Sequence, residues 1–191
     1  MKNDNKGFSL VELVIIIAIM GIVVTMLAAN LGFLNDSAAK GCANSLKTAI
    51  GQTRIKTMGK KETYLYVYKD GKGYSIKTVN KGSKSGDPIT VETNEKLAKN
   101  RVTVSYKFSQ STGSTTTPVE IDDSHDLLIG FNRENGKLDM DASSSITFDG
   151  ITRSVNTVAN ATGMIITVQS GNFIYDITVY GATGKVEMKK R

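Results

Sequence analysis

The longest apolar run of the chain lies near its N-terminus. From Leu13 to Asn35 there are 23 consecutive residues without a formal charge, and most of them are Leu, Val, Ile, Ala or Met. As a helix rising about 1.5 Å per residue, this run is ~34 Å long, enough to cross a bilayer core of about 30 Å. The pattern therefore predicts a transmembrane helix at about 13–35.

Downstream of this run, apolar positions recur every three or four residues with polar side chains between them. Such spacing is typical of a helix with one buried face. We expect one helix from about Ser9 to Met58, ended at Gly59, because glycine commonly terminates helices. Its first half is apolar all round and its second half is amphipathic. The apolar positions of the second half are Leu31, Leu34, Ala38, Cys42, Leu46, Ala49, Ile50 and Thr53.

From Glu62 onward the period changes from helical to two, which indicates β-strands. In the first of these, three tyrosines point to one face, and Leu65 and Val67 point to the other. A helical turn is predicted at 94–100, an exposed and mobile Ser/Thr-rich loop at 109–118, and a looser stretch at 149–162. The predicted strands are 63–68, 74–79, 89–91, 101–108, 119–121, 127–131, 137–140, 145–148, 164–169, 173–180 and 185–188. The fold class is therefore α+β, with the helix packed on antiparallel sheets.

One carboxylate interrupts the front edge of the apolar run. Glu12 follows four small or apolar residues and precedes the long run, where an unpaired charge costs at least a few kcal/mol in lipid. A cut between Gly7 and Phe8 would create an amino group one helical turn away, positively charged at neutral pH. Between two helices offset along a common axis, the carboxylate of one chain could meet the amine of the next. A buried ion pair of this kind fixes register.

The stretch Gly7–Leu13, after a short Lys-containing leader and before a long apolar helix, closely resembles the class III signal of type IV prepilins and pseudopilins. The resemblance implies that a membrane aspartyl prepilin peptidase cuts after Gly7 and methylates the amine of Phe8. It also implies that Glu12 supports packing with other pilin subunits into a filament, and that the fold is a pilin fold. The assembly platform and its ATPase would act indirectly. The motif covers only about the first thirty residues.

Two simpler interpretations of the N-terminus fit the sequence less well. An ordinary secretory signal has a shorter apolar core and an A-x-A-like site, whereas Leu27-Ala28-Ala29 is a poor site here. A plain single-span anchor explains the length of the run but not Gly7 followed by Phe8 and a glutamate. Lys2 and Lys6 predict a cytoplasmic N-terminus in the cell (inner) membrane. The expected division is a leader at 1–7, the helix at 8–59 and an extracytoplasmic β-rich domain at 60–191.

The strand pattern in the C-terminal half also resembles the minor pseudopilins of the H type. It consists of Ile129-x-Phe131 with Asn135-Gly136, then Ile146-x-Phe148, then Ile177-x-Val179 with Gly184-Lys185-Val186. This weaker resemblance implies two β-sheets against the long helix and a minor subunit of a type II secretion system, a pilus or a competence machine. Strand–turn–glycine patterns are common, so it is less specific than the N-terminal motif.

The basic residues define the alternative function. The formal charge of +6 falls to +5 once Lys2, Asp4 and Lys6 leave with the leader. Lys189, Lys190 and Arg191 form a basic tail, which with Lys185 and the group Lys96, Lys99 and Arg101 is the best candidate for contact with DNA. The alternative function is thus a DNA- or surface-binding module at a filament tip. A solvated charged terminus is the commoner meaning of such a run.

The remaining reactive residues are few. Cys42 is the only cysteine, so no intrachain disulfide forms, unlike the C-terminal disulfide loop of many Gram-negative pilins; its helical position predicts a small buried hydrophobe. His125 is the only histidine, and no catalytic triad or zinc-type cluster can be built, so no enzyme, metal or cofactor is expected. The acidic group around it, Asp122, Asp123 and Asp126 with Asp139 and Asp141, is expected to be a solvated turn.

Overall fold

The computed structural model describes residues 9–59, 62–71, 73–81, 89–99, 101–141 and 143–191, with all their side chains except those of 27–31 and 99. These residues form one helix and eleven strands. The strands are β1 (Glu62–Asp70), β2 (Gly73–Lys81), β3 (Thr90–Lys99), β4 (Thr103–Gln110), β5 (Val119–Glu120), β6 (Leu127–Gly130), β7 (Ser145–Phe148), β8 (Ile151–Ser154), β9 (Ala161–Ser170), β10 (Phe173–Tyr180) and β11 (Val186–Lys190). An N-terminal helix and a β-rich C-terminal domain confirm the α+β class.

The helix α1 (Leu10–Gly59) is 50 residues long, about 75 Å at the usual helical rise. Side chains at 10–26 are exposed, whereas Ala39, Cys42, Leu46 and Ile50 are buried, so the predicted amphipathic second half is confirmed. The predicted transmembrane segment at about 13–35 is not supported by the structure. In the part of the chain that the structure describes, no helix meets the combined length and apolarity needed for a membrane span.

Two antiparallel sheets flank the second half of α1. The first has the strand order β3-β2-β1-β6 and the second the order β11-β10-β9-β4-β5. Both sheets contact the helix, and their inner faces share one core with it. Leu65 and Val67 of β1 and Ile166 and Ile177 of the second sheet all lie in this core. Apolar residues at every second strand position thus cover the amphipathic face of the helix from two sides.

A hairpin of β7 and β8 covers the outer face of the first sheet. Tyr64 and Tyr66 of β1 are buried there with Phe148, in a second apolar cluster on the side away from the helix. The guanidinium of Arg153 stacks between two rings, 4.6 Å from the centroid of Tyr66 and 4.3 Å from that of Phe148. The predicted tyrosine face of β1 is therefore confirmed, and it is an internal face.

Three predictions about the strands are wrong in part. The helical turn predicted at 94–100 is, in its described part, strand β3, where Asn94 pairs with Lys77 and Lys96 with Ser75. The backbone bonds to β2 outweigh the local helix preference of Glu, Lys, Leu and Ala. The strand predicted at 137–140 is only an isolated bridge between Phe131 and Leu138. Conversely, the stretch at 149–162, which was predicted to lack regular structure, contains strand β8.

The Ser/Thr-rich loop at 109–118 is exposed along most of its length, as predicted. Its backbone is nevertheless tied at several points. The amide of Gln110 donates to the carbonyl of Ser114 (2.9 Å), and the amide of Ser111 donates to Asn160 (3.1 Å). The hydroxyl of Thr116 accepts from the amide of Phe108 (2.9 Å). Side-chain hydroxyls and turns thus satisfy a segment that has no apolar anchor of its own.

Leu46 tests the contribution of the helix–sheet core. Its side chain is fully buried between the two sheets, so truncation leaves a cavity and removes apolar contacts. Leu46→Ala is expected to lower the free energy of unfolding by roughly 2–5 kcal/mol, measured by urea denaturation of the full chain in detergent. Ile55→Ala is the matched control, because Ile55 on the same helix is 70% exposed. Equal losses in both variants would contradict this packing.

Candidate functional site

The N-terminal site lies at the start of α1. Gly7 and Phe8 are outside the described residues, and the description begins at Ser9. The side chain of Ser9 accepts a hydrogen bond from the amide of Val11 (3.2 Å), and Oε2 of Glu12 accepts one from the amide of Ser9 (2.9 Å). Two otherwise unpaired amides of the first turn are thereby satisfied reciprocally. This arrangement is a capping box in which the serine side chain accepts from the second helical amide and not the third.

The capping box gives Glu12 a role within its own chain. A carboxylate at the helix N-terminus is also favoured by the helix dipole, typically by about 0.3–1 kcal/mol at an exposed site. The Ser-x-x-Glu spacing of Ser9 and Glu12 is the sequence signal for this cap, which the predicted assembly role of Glu12 does not include. Because a carboxylate accepts several hydrogen bonds, the cap is compatible with a second contact to an amine.

The surface behind this cap is apolar and exposed. Leu10, Leu13, Ile15, Ile19 and other large side chains up to Met26 are each between 45% and 79% exposed. A continuous apolar surface around a helix is typical of segments that are covered by lipid or by other helices. The site therefore combines an acidic cap at the front of the helix with an all-round apolar surface behind it.

The junction between the exposed and buried halves of α1 is held by a second carboxylate. Oδ1 of Asp36 accepts from the hydroxyl of Tyr175 (2.8 Å) and from the ammonium of Lys190 (2.9 Å). That ammonium also lies over the Phe173 ring, 4.9 Å from its centroid. On the neighbouring side, the side-chain amide of Asn35 lies against Gly171 in the turn between β9 and β10. The helix is thus fastened to the second sheet where it enters the domain.

The electrostatics of this junction follow from the same contacts. The hydrogen bond from Lys190, and then that from Tyr175, lowers the pKa of Asp36 below its ordinary value. The carboxylate in turn raises the pKa of both Tyr175 and Lys190. The charged form of Asp36 therefore contributes stability above the pKa of an unfolded aspartate, about 3.9. That contribution is lost as the pH falls through the lowered pKa of the folded state.

Asp36→Asn is expected to lower the unfolding temperature at pH 7, because the carboxylate that Lys190 contacts is removed. The difference from the parent should shrink below about pH 4 and vanish once the parent carboxyl is protonated. Thermal unfolding of the full chain across this pH range measures it. Asp123→Asn makes the same change at an exposed residue of the 122–126 turn and serves as control. A pH-independent difference would contradict the ionic contribution of Asp36.

The predicted basic tail is part of the second sheet. Lys189 and Lys190 belong to β11, and the amide of Arg191 donates to the carbonyl of Ile174 (2.9 Å). The guanidinium of Arg191 pairs with Asp176 (2.6 Å), and Lys190 pairs with Asp36. Two of the three charges are therefore held by carboxylates of the domain, while Lys189 is exposed.

The other basic candidates are divided between the two sheets. Lys96 is on β3 of the first sheet, and Arg101 lies on the turn before β4, where its carbonyl accepts from Ser170 (2.8 Å). The side chain of Lys99 is not among those described. The predicted basic group is thus distributed over two sheets.

The reactive residues have local structural roles. The carboxylate of Asp122 accepts from the amides of Ser124 and His125 (2.8 Å each) and contacts Nδ1 of His125 (3.0 Å), which lowers its pKa. Cys42 is buried as predicted, and burial raises the pKa of its thiol to about 12. Among the described residues there is no group of three or more His, Cys, Asp or Glu side chains placed to hold a metal ion.

Comparison with known proteins places the N-terminal site in a class. The family model for the prokaryotic N-terminal methylation motif matches residues 2–28. The chain therefore carries the class III signal of type IV prepilin-like proteins, and the resemblance predicted from the N-terminal stretch is confirmed. No curated protein and no solved structure matches the chain. The motif implies a membrane-anchored pilin-like subunit that is processed by a prepilin peptidase and assembled with other pilin subunits.

Proposed function

We propose that the chain is a structural subunit of a type IV pilus or pseudopilus. It enters the cell membrane once, through a segment at about 13–35, with its N-terminus cytoplasmic. The peptidase cuts between Gly7 and Phe8 and methylates the new amine of Phe8. The subunit is then drawn out of the membrane into an extracytoplasmic filament, driven by an assembly platform and its ATPase.

The observation that carries this proposal is the position of the motif on the helix. The matched residues 2–28 overlap the part of α1 whose side chains are exposed and apolar, whereas the domain closes its own core with residues from Ala39 onward. The domain does not require the first half of the helix for its core. That half is consequently available to lipid before assembly and to other subunits afterwards.

Glu12 is proposed to guide assembly. In its own chain the carboxylate caps the helix, and across a subunit boundary it would meet the methylated amine of Phe8 on a neighbouring chain. An ion pair in apolar surroundings fixes one register, because any other register leaves both charges unpaired. We propose that the chain is a minor subunit of its filament and not the major one. The two sheets around the helix and the H-type strand pattern support this choice.

The test is N-terminal mass spectrometry of the protein isolated from its native membrane. A terminal peptide that begins at Phe8 and is heavier by one methyl group is expected. An intact Met1 start would overturn the proposal in favour of a plain anchored domain. A start after Ala29 would overturn it in favour of an ordinary secreted protein.

A further inference from the structure

We propose that the end of the domain from which α1 emerges lies on the headgroups of an anionic phospholipid bilayer. The surface is a basal collar of five cations, namely Lys40, Arg101, Lys189, Lys190 and Arg191, with the aromatic residues Phe33 and Phe173. The inference rests on the proposed membrane anchoring and adds to it the lipid class that the domain contacts before assembly.

Three segments of the domain meet the helix within about one and a half turns. The β9–β10 turn contacts Asn35 through Gly171, and β11 contacts Asp36 through Lys190. On the other side, Leu34 and Ala38 line a cleft together with Leu97, Ala98, Arg101 and Val102. The hydroxyl of Ser170 joins the turn to this side by donating to the carbonyl of Arg101 (2.8 Å). Lys190 and Arg101 therefore lie on two sides of the helix at one level, and Lys189 and Arg191 lie at the same end of the second sheet, on its outer face.

This level is also the boundary between the two halves of α1. Toward the N-terminus, Phe33 is 73% exposed and Leu34 is 48% exposed; toward the C-terminus, the buried face begins at Ala39. The proposed membrane segment ends at about residue 35, so the collar lies at the end of that segment. Headgroups occupy roughly the outer 5–7 Å on each side of a bilayer, which is the depth of one helical turn.

Beside the helix and on β11, cations are in excess of carboxylates. Asp36 and Asp176 pair with Lys190 and Arg191, whereas Lys40, Arg101 and Lys189 are exposed and add three further positive charges. The exposed Asp123 follows β5 at the same end of the second sheet, beside the edge strand farthest from β11. Phe173 lies under the ammonium of Lys190 and is partly exposed. Basic side chains with aromatic rings at a membrane surface are typical of contact with anionic headgroups.

The geometry favours a membrane over a nucleic acid as the polyanion. A bilayer crossed by the helix presents a plane of phosphates around it, so cations on both sides of the helix and on the outer face of the second sheet meet the plane together. A duplex would have to approach past the exposed apolar half of α1 and could reach only one side of the collar. The surface is therefore complementary to a layer that the helix penetrates.

The experiment uses the full chain in lipid nanodiscs made either of phosphatidylcholine alone or of phosphatidylcholine with phosphatidylglycerol. Asn172→Cys in a Cys42→Ala background places a fluorescent donor on the exposed β9–β10 turn, and a labelled headgroup is the acceptor. Energy transfer is expected to be higher in anionic discs. The excess should disappear near 1 M salt, where the screening length is only about 3 Å.

Arg101→Gln with Arg191→Gln is expected to abolish the excess transfer in anionic discs. Arg133→Gln with Lys137→Gln is the matched control. This control also removes two positive charges. They belong to a turn whose Gly136 carbonyl accepts a hydrogen bond from Arg54 (2.9 Å). Arg54 lies about 27 Å further along the helix than Asp36. Transfer in neutral discs is the internal reference, and an unchanged value there shows that each variant keeps its fold.

The outcomes separate this inference from the proposed function. Chains that insert but show equal transfer in both kinds of disc would overturn the lipid contact and leave anchoring intact. Chains that do not co-purify with discs would overturn both. Loss of salt-sensitive binding to duplex DNA in the Arg101/Arg191 variant, without any lipid dependence of transfer, would identify the collar as a nucleic-acid surface and overturn the lipid proposal.

Discussion

Glu12→Gln is expected to be cleaved after Gly7 at the parental rate. Its incorporation into filaments is expected to be lower than that of the parent by at least about a hundredfold. The reason is that breaking one partner of a buried ion pair costs about 3–5 kcal/mol, and each 1.4 kcal/mol is a factor of ten. The measurement compares, by immunoblot, the amount of variant in sheared filaments with the amount in the membrane. N-terminal sequencing of the membrane fraction checks cleavage.

The capping box makes glutamine the informative substitution. Glutamine at the third helical position can also accept from the amide of Ser9, so Glu12→Gln retains the cap and removes only the charge. Ser9→Ala is the matched control, since it removes the hydroxyl of the cap at a cost of about 0.5–2 kcal/mol and retains the carboxylate. Normal incorporation of Glu12→Gln would contradict the assembly role, and equal defects in both variants would identify a capping role alone.

Gly7→Glu is expected to block processing completely. A bulky charged side chain at the cleavage position should not fit a peptidase site that takes glycine, so mass spectrometry should detect no peptide that begins at Phe8. Asn3→Glu adds the same charge elsewhere in the leader and should be processed normally. Processing of Gly7→Glu at the wild-type rate would overturn the assigned cleavage position.

The two variants together test the order of events. Without cleavage there is no free amine at Phe8, so Gly7→Glu should be as deficient in filaments as Glu12→Gln, although only the latter is processed. A filament made from unprocessed Gly7→Glu subunits would show that the amine is not the partner of Glu12.

Several features of this protein could be predicted from local patterns alone. The helical period of the apolar positions predicts a helix from about Ser9 to Met58, and α1 forms from Leu10 to Gly59. The alternation of side chains predicts a strand at 173–180, which is where β10 forms. The N-terminal motif is contiguous and was recognisable without any structure. The capping box of Ser9 and Glu12 is equally local, since its Ser-x-x-Glu spacing lies within one helical turn.

The features that could not be predicted involve residues far apart in the chain. Residues 94–99 favour a helix by composition, and only their pairing with β2 makes them a strand. Nothing near Asp36 indicates that its partners are Tyr175 and Lys190, which come together only when β10 and β11 pair and pack beside the helix.

The motif, the helix and the alternation along the strands are local properties, since each depends on spacing over a few helical turns or strand residues. The order of strands in the two sheets and the ion pairs of the basic tail arise from contacts between distant segments. These depend on which distant segments pack together, and many alternative pairings are compatible with the same local pattern.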